Sequence, residues 1–388
     1  MIERTLSKEL LEAAAEYPVV TVLGPRQSGK TTLVRSAFPS KTYRSLESPD
    51  IRQRALGDPR GFLDELAGGA ILDEVQRTPQ LLSYIQEIVD MNSDAGQFIL
   101  TGSHEPMLHQ AVSQSLAGRT AILNLMQFSL EELAFYNKKR NAFELCCTGF
   151  FPRLHHRNLS PARFFSSYIQ TYVERDVRSL MNLKNITNFQ SFLLLLAGRT
   201  GQLLNLANIS NDTGVSSTTI RSWIDVLKAS FMVIELPSYH ANIRKRVVRS
   251  PKIYFTDTGL LCYLLGIGSS AQLKRDPLRG SIYENLLIME VLKTRLNKGL
   301  RPDLYFYRDS NGNEVDLLIP HGGSIQPIEI KSSSTFTPGF IKGISSLQKQ
   351  LGDSCRDGIV FYNGEKEFSF RGTRITNPVM NPAVLNEI

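Results

Sequence analysis

The residues that most plainly carry chemistry are Gly24, Gly29, Lys30 and Thr31, within VVTVLGPRQSGKTTLVRSAF. They meet the G-x-x-x-x-G-K-[ST] spacing, between a β-branched run (Val19 to Leu23) and a helical pattern, which is the strand-loop-helix setting the motif requires. Glycines let successive backbone N–H groups curl around phosphate, and the helix N-terminus adds partial positive charge. Lys30 then reaches the β and γ phosphates and Thr31 offers a hydroxyl to Mg2+. The expected nucleotide cradle is Gly24, Pro25, Arg26, Gln27, Ser28, Gly29, Lys30, Thr31 and Thr32, with ATP and Mg2+ as its ligands.

Two further strands end in polar residues of matching type. In GAILDEVQ, Asp73 is suited to hold Mg2+ through water and Glu74 to orient or deprotonate the attacking water. Two acids that merely close a strand are the plain alternative. In QFILTGS, Thr101 and Ser103 are candidates to sense the γ-phosphate or the attacking water, with Ser103 assigned to the nucleotide site.

A second constellation lies near the C-terminus, in EVDLLIPHGGSIQPIEIKSSS. If Gly322-Gly323 forms a two-residue hairpin turn, Asp316 stands directly opposite Glu329. Alternation along the strand puts Glu329 and Lys331 on one face, with Ile328 and Ile330 on the other. Glu284 shares a helix face with Leu287, Ile288, Val291 and Leu292 in GSIYENLLIMEVLKTRL, where a carboxylate needs a cation or a donor. One reading has Glu284, Asp316 and Glu329 holding Mg2+ or Mn2+ while Lys331 positions or activates water. The other is a hairpin salt bridge in which Lys331 neutralises Asp316 and Glu329 without metal.

The net charge of +7 is unevenly placed, because residues 146–279 hold 17 Lys/Arg against 7 Asp/Glu. Such a surplus points to a polyanion, with DNA the expected partner. The same region contains LLNLANISNDTGVSSTTIRSWIDVLKA, where Ser210, Gly214 and Ile220 match helix-turn-helix spacing. The second helix is predicted from about Ser216 to Ala229, presenting Ser217, Thr218, Arg221 and Ser222 to DNA. A wing would follow, with Ile243 to Arg249 as a phosphate-contacting strip, although such folds also serve as protein interfaces. Arg153 is a candidate to approach nucleotide from a lid, and Arg175 and Arg178 either bind phosphate or pair with Glu174 and Asp176.

Positioning these groups calls for an α/β chain of three parts: a P-loop ATPase domain over 1–145, a helical lid with winged helix-turn-helix over 146–255, and a restriction-endonuclease-like α/β domain over 256–388. The longest apolar runs fall short of the ~20 residues that span a bilayer, and the segment MIERTLSKEL is charged, so a cytoplasmic protein without membrane contact is expected. Four cysteines without a CxxC pair, and six histidines without zinc spacing, point to reduced thiols rather than a zinc site or disulfides.

Taken in order, LGPRQSGKTTL, AILDEVQ, ILTGS, SLAGR, YVERDV, KIYFTDTGLL, GSIYEN and EVDLLI…PIEIKSS resemble the bacterial and archaeal AAA-superfamily P-loop ATPases that carry a C-terminal domain of unknown function related to PD-(D/E)xK nucleases. The resemblance implies an ATP-binding protein with Lys30, Thr31, Asp73 and Glu74 in their usual roles and a nuclease-like fold around Glu284, Asp316, Glu329 and Lys331. In such ATPases the residue at the place of Arg119 often reaches a neighbouring subunit's nucleotide as an arginine finger, which implies a homo-oligomer. A helix C-terminal charge that suits the dipole is the alternative for Arg119.

Overall fold

The computed structural model describes residues 2–92, 94–103, 115–134, 141–172, 186–239, 250–309 and 312–388. Most of the helix predicted before Arg119, the residues Glu174, Arg175, Asp176 and Arg178, and the strip Ile243 to Arg249 lie outside them. By internal contact the chain forms two compact units, one of Met1–Phe128, Ala229–Phe231 and Arg295–Arg301, the other of Ser129–Lys228, Met232–Thr294 and Pro302–Ile388.

The first unit is built on five parallel strands: β1 (Val19–Gly24), β2 (Thr42–Ser45), β3 (Ala70–Asp73), β4 (Phe98–Ser103) and β5 (Thr120–Asn124). Their order is β2-β3-β4-β1-β5. A parallel strand covered on both faces has no polar side, which is why β1 reads as a continuous apolar run. Val20 and Val22 pack with Leu10 and Leu33 from the helices Ser7–Glu16 and Lys30–Ala37. Val19 and Leu23 face the opposite layer, with Phe62, Leu82 and Ile85. Since β1 has β4 on one side and β5 on the other, the strand order reverses beside it, and a crevice at the C-terminal strand ends is the expected ligand position.

In the second unit the helices Leu206–Thr213 and Ser217–Ala229 meet at Gly214, whose φ of 68° is the left-handed conformation glycine adopts without strain. Ile220 is buried at the seat of the second helix, and Trp223 packs edge-on against Phe189. The antiparallel pair β6 (Val233–Leu236) and β7 (Lys252–Phe255) follows.

The same unit holds a six-stranded mixed sheet of β8 (Tyr305–Arg308), β9 (Glu314–His321), β10 (Ser324–Lys331), β11 (Ile359–Tyr362), β12 (Phe368–Phe370) and β13 (Thr373–Thr376), in the order β12-β13-β11-β10-β9-β8. Gly322 and Gly323 both have positive φ, 55° and 90°, as a two-residue hairpin turn of the favoured twist requires. The register runs from Ser324 opposite His321 to Ile328 opposite Leu317, the pairing that turn dictates.

The contact division keeps most of the middle and C-terminal segments in one unit. Asn285 supplies the physical reason. From the helix Arg279–Asn297 its side chain accepts from the Phe255 N–H, donates to the Phe255 carbonyl, and accepts from the Thr200 hydroxyl, all buried. Asn285→Ala strips partners from three buried polar groups and is expected to lower stability by on the order of 3 kcal/mol in denaturant titration, whereas Asn297→Ala near the helix end serves as a control of smaller effect.

Candidate functional site

The C-terminal ends of β1, β3 and β4 bring the expected nucleotide residues into one place. Gly24 pairs with Ser103, and Leu72 with Leu100, so Asp73, Thr101 and Ser103 stand level with the start of the loop Gly24–Gly29. Gly24 is held tightly from behind, since a Cβ there would lie 2.1 Å from the Leu125 carbonyl oxygen. Gln27 and Gly29 both take positive φ, 62° and 95°, and Gly29 immediately precedes the helix that begins at Lys30. Left-handed residues on both sides of Ser28 are the backbone geometry that anion-binding loops use.

Lys30 is buried and its Nζ donates to the Gly24 and Pro25 carbonyls at 2.9 Å each. Burial lowers its pKa to about 8, with Glu74 and Asp73 resisting the change. Asp73 accepts from the Thr31 hydroxyl (3.1 Å), the Tyr43 hydroxyl (2.7 Å) and Thr101. Hydroxyl and carboxylate oxygens are the donors that suit Mg2+, and the Ser28 hydroxyl, wholly buried, has no hydrogen-bond partner among the described residues. The residues therefore fit ATP and Mg2+: the loop would cradle the phosphates, Thr31 and Asp73 would hold the ion, and the ion would neutralise phosphate charge.

Glu74 has φ 59° and ψ 45°, a left-handed conformation that costs a non-glycine residue about 1 kcal/mol or more and turns its carboxylate toward β4. Its Oε2 accepts from Ser103 (3.0 Å) and from Gln76, whose amide also donates to Ser103 (3.3 Å). Sequence reasoning missed Tyr43, Gln76 and Arg4. Arg4 donates to the Ser28 carbonyl and the Met126 carbonyl at 2.7 Å each, tying the phosphate loop to the chain after β5. Nothing in the spacing of these three marks them, except that Gln76 closely follows DE in the same segment.

Arg119 lies just before β5 and makes a bidentate pair with Asp90, one arm at 2.9 Å, while also donating to the Ala117 carbonyl. Hydrogen bonding to Arg119 holds the Asp90 carboxyl below its ordinary range. In the helix-turn-helix, Ser217, Thr218 and Ser222 are exposed. Arg221, expected beside them, instead pairs with Glu235 at 2.7 and 3.0 Å and with Asp225 at 3.2 Å. Arg153 is exposed on the helix Pro152–Arg157.

The C-terminal cluster also assembles. Lys331 Nζ lies 2.6 Å from Glu329 and 3.4 Å from Asp316, whose Oδ2 further accepts from the Ile330 N–H at 2.8 Å. Glu284 is bound by Lys252 Nζ at 3.1 Å and by the Tyr254 hydroxyl, and Lys252 pairs as well with Glu314. Burial, then repulsion from Asp316, raises Glu329 to about 8 and Glu284 to about 7. The expectation of Mg2+ or Mn2+ at Glu284, Asp316 and Glu329 meets a different arrangement. Among the described residues no group of three or more His, Cys, Asp or Glu is disposed to hold a metal ion. Lysine ammoniums reach these carboxylates instead, Lys331 at Asp316 and Glu329 Oε1 and Lys252 at Glu284, while Glu329 Oε2 is buried with no hydrogen-bond partner among the described residues; the acids as folded present no ligand set for a divalent cation.

A phosphate loop, a paired Asp-Glu on β3 and a polar end on β4, on a parallel sheet, define a P-loop ATPase domain of the AAA superfamily. Residues 16–134 match the family model described as AAA domain, while 139–271 and 279–380 match two domains of unknown function, DUF8612 and DUF4143. An uncharacterized protein of Mycobacterium tuberculosis is 32% identical over 381 residues, covering 97% of this chain and 83% of its own, and one from Mycobacterium bovis has the same figures. The chain belongs to this family of AAA-superfamily P-loop ATPases with a C-terminal domain of unknown function. Solved structures with similarity include a Walker-type ATPase of Pyrococcus abyssi (16% identity, 68% of this chain and 96% of that one, TM-score 0.46) and a RuvB variant of Thermotoga maritima (17%, 60% and 89%, 0.31). No helix among the described residues is long and apolar enough to cross a membrane.

Glu74→Gln should leave ATP binding within a few-fold of wild type while turnover falls by about 100-fold or more. Lys30→Ala should lose binding itself. Calorimetry with ATP and a phosphate-release assay separate the two effects, and equal turnover in Glu74→Gln would remove Glu74 from the chemistry.

Proposed function

We propose that this protein is a Mg2+-dependent ATPase that couples its nucleotide state to DNA binding. The observation that carries the ATPase part is the convergence of Lys30, Thr31, Asp73, Glu74 and Ser103 at the C-terminal ends of three adjacent strands. Lys30 compensates phosphate charge, Thr31 and Asp73 hold the ion, and Glu74 orients the attacking water once Ser103 and Gln76 release it or share it. Wild-type protein that binds no ATP in calorimetry would end this reading.

DNA contact is supported by the exposed Ser217, Thr218 and Ser222 on the second helix of a Gly214 turn, and by the Lys/Arg surplus over residues 146–279. The succession of helix Ile186–Ala197, the isolated bridge at Leu203, two helices and the β6-β7 pair is the order of a winged helix. Fluorescence anisotropy with labelled duplex, with ATP or ADP, tests it. Affinity should fall steeply with salt, by a log-log slope of about −0.9 per phosphate neutralised, and Ser217→Glu with Ser222→Glu should weaken binding about tenfold or more. Salt-insensitive affinity would instead make this helix a protein interface.

The C-terminal helix Arg279–Asn297, the strands β8 to β10, the helix Lys342–Leu351 and then β11 follow the order expected of a restriction-endonuclease-like core, which supports descent from a nuclease. The lysine pairing of its carboxylates favours a second reading of that part. In it, the domain is a non-cutting interaction module of an ATP-driven switch, with Arg119 released from Asp90 to act on a neighbouring subunit. Arg119→Ala should then abolish turnover and spare ATP binding; unchanged turnover would confine Arg119 to its pair with Asp90.

A further inference from the structure

We propose that Lys252 is the resident cation of the C-terminal acidic cluster, and that the cluster accepts a divalent ion only when this ammonium is removed. Four carboxylates gather there, Glu284 from the helix Arg279–Asn297, Glu314 and Asp316 from β9, and Glu329 from β10. Lys331 spans only Asp316 and Glu329. Glu284 and Glu314 are bridged by Lys252, whose side chain is 4% exposed and whose Nζ lies 5.5 Å from the Phe306 ring centroid.

The position of Lys252 is built by the backbone. Residues 252 and 254 share one face of β7, and both bring a donor to the same oxygen of Glu284. The neighbouring Asn285 clamps Phe255 through both its N–H and its carbonyl, so β7 cannot withdraw the lysine without breaking buried bonds. A divalent ion such as Mg2+ needs carboxylate oxygens with free lone pairs at about 2.0–2.1 Å. Here one oxygen of Glu284 is already taken by two donors, and Asp316 is shared between Lys331 and the Ile330 N–H. A compact ammonium with three donors serves the same electrostatic need with no exchangeable coordination position.

Lys252→Met keeps the apolar stem and removes the charge, leaving Glu284 and Glu314 without their bridge. Free Mn2+ is followed by electron paramagnetic resonance in nucleotide-free full-length protein, so that the phosphate loop contributes no ion. Wild type should show no bound Mn2+ attributable to Asp316. Lys252→Met should bind one ion per chain and lose it when Asp316→Asn is added. Wild-type protein that binds one Mn2+ per chain, retains it in Lys30→Ala and loses it in Asp316→Asn would overturn the proposal. So would Lys252→Met with an unchanged circular dichroism spectrum and no gain of Mn2+. If that variant fails to fold, Lys252→Gln, which removes the charge but keeps a donor, is read by the same Mn2+ titration, and no gain of Mn2+ in a folded Lys252→Gln overturns the proposal. The assignment does not depend on ATP or DNA binding, so its failure would leave both of those readings standing.

Discussion

A carboxylate taken out of water must be met by donors or by a cation, and both units are organised around that requirement. In the first unit Asp73 is met by three hydroxyls, from Thr31, Tyr43 and Thr101. Hydroxyls satisfy lone pairs without cancelling charge, so the site keeps a negative centre for Mg2+ to find. In the second unit Glu284, Glu314, Asp316 and Glu329 are met largely by the ammoniums of Lys252 and Lys331. Ammoniums donate to such oxygens and neutralise charge as well, and of these four acids Glu329 keeps one buried oxygen, Oε2, with no hydrogen-bond partner among the described residues. The one solution leaves a cation to be recruited with the nucleotide, and the other supplies the cation from the chain.

The nucleotide crevice follows from the order of parallel strands. Placing β1 between β4 and β5 opens the sheet's C-terminal edge at the phosphate loop, and the in-register neighbours then set Asp73 beside Thr101 and Gly24 beside Ser103. Backbone strain at Gln27 and Glu74 accompanies this geometry, because an anion-binding loop and a strand end that turns an acid sideways both need left-handed residues. Arg4 stiffens the arrangement by bonding a carbonyl of the loop itself. The nucleotide site is thus held from the β1 loop, from the start of the chain and from the segment after β5.

Much of this was legible beforehand where the information is local. The phosphate loop is a spacing of residue types, and its cradle formed as that spacing requires. The hairpin register was legible because two glycines of positive φ fix a two-residue turn, and a turn fixes every pairing beyond it. Gly214 marked the turn between the helices Leu206–Thr213 and Ser217–Ala229, and Ile220 the buried side of the second, for the same reason. Tyr43, Gln76, Arg4, Lys252 and Tyr254 were not legible, since each acts through a partner that lies in another element. Arg221 shows the converse: its type suited DNA, and only the fold brought Glu235 within 2.7 Å of it.

The amino-acid order by itself determined the phosphate loop, the acids that end β3 and the hairpin register from Ser324 to Ile328, because these depend on backbone geometry over a few residues and on one turn. The pairing of Lys331 with Asp316 and Glu329 was one of two readings open in the sequence, and tertiary structure decided the other donors. Lys252 stands in the sequence beside an ordinary apolar run, far from Glu284 and Glu314, and becomes their counter-charge only when β7 is clamped against the helix Arg279–Asn297. Charge compensation in a buried cluster depends on distances of a few ångströms between remote segments, and no local pattern encodes those distances.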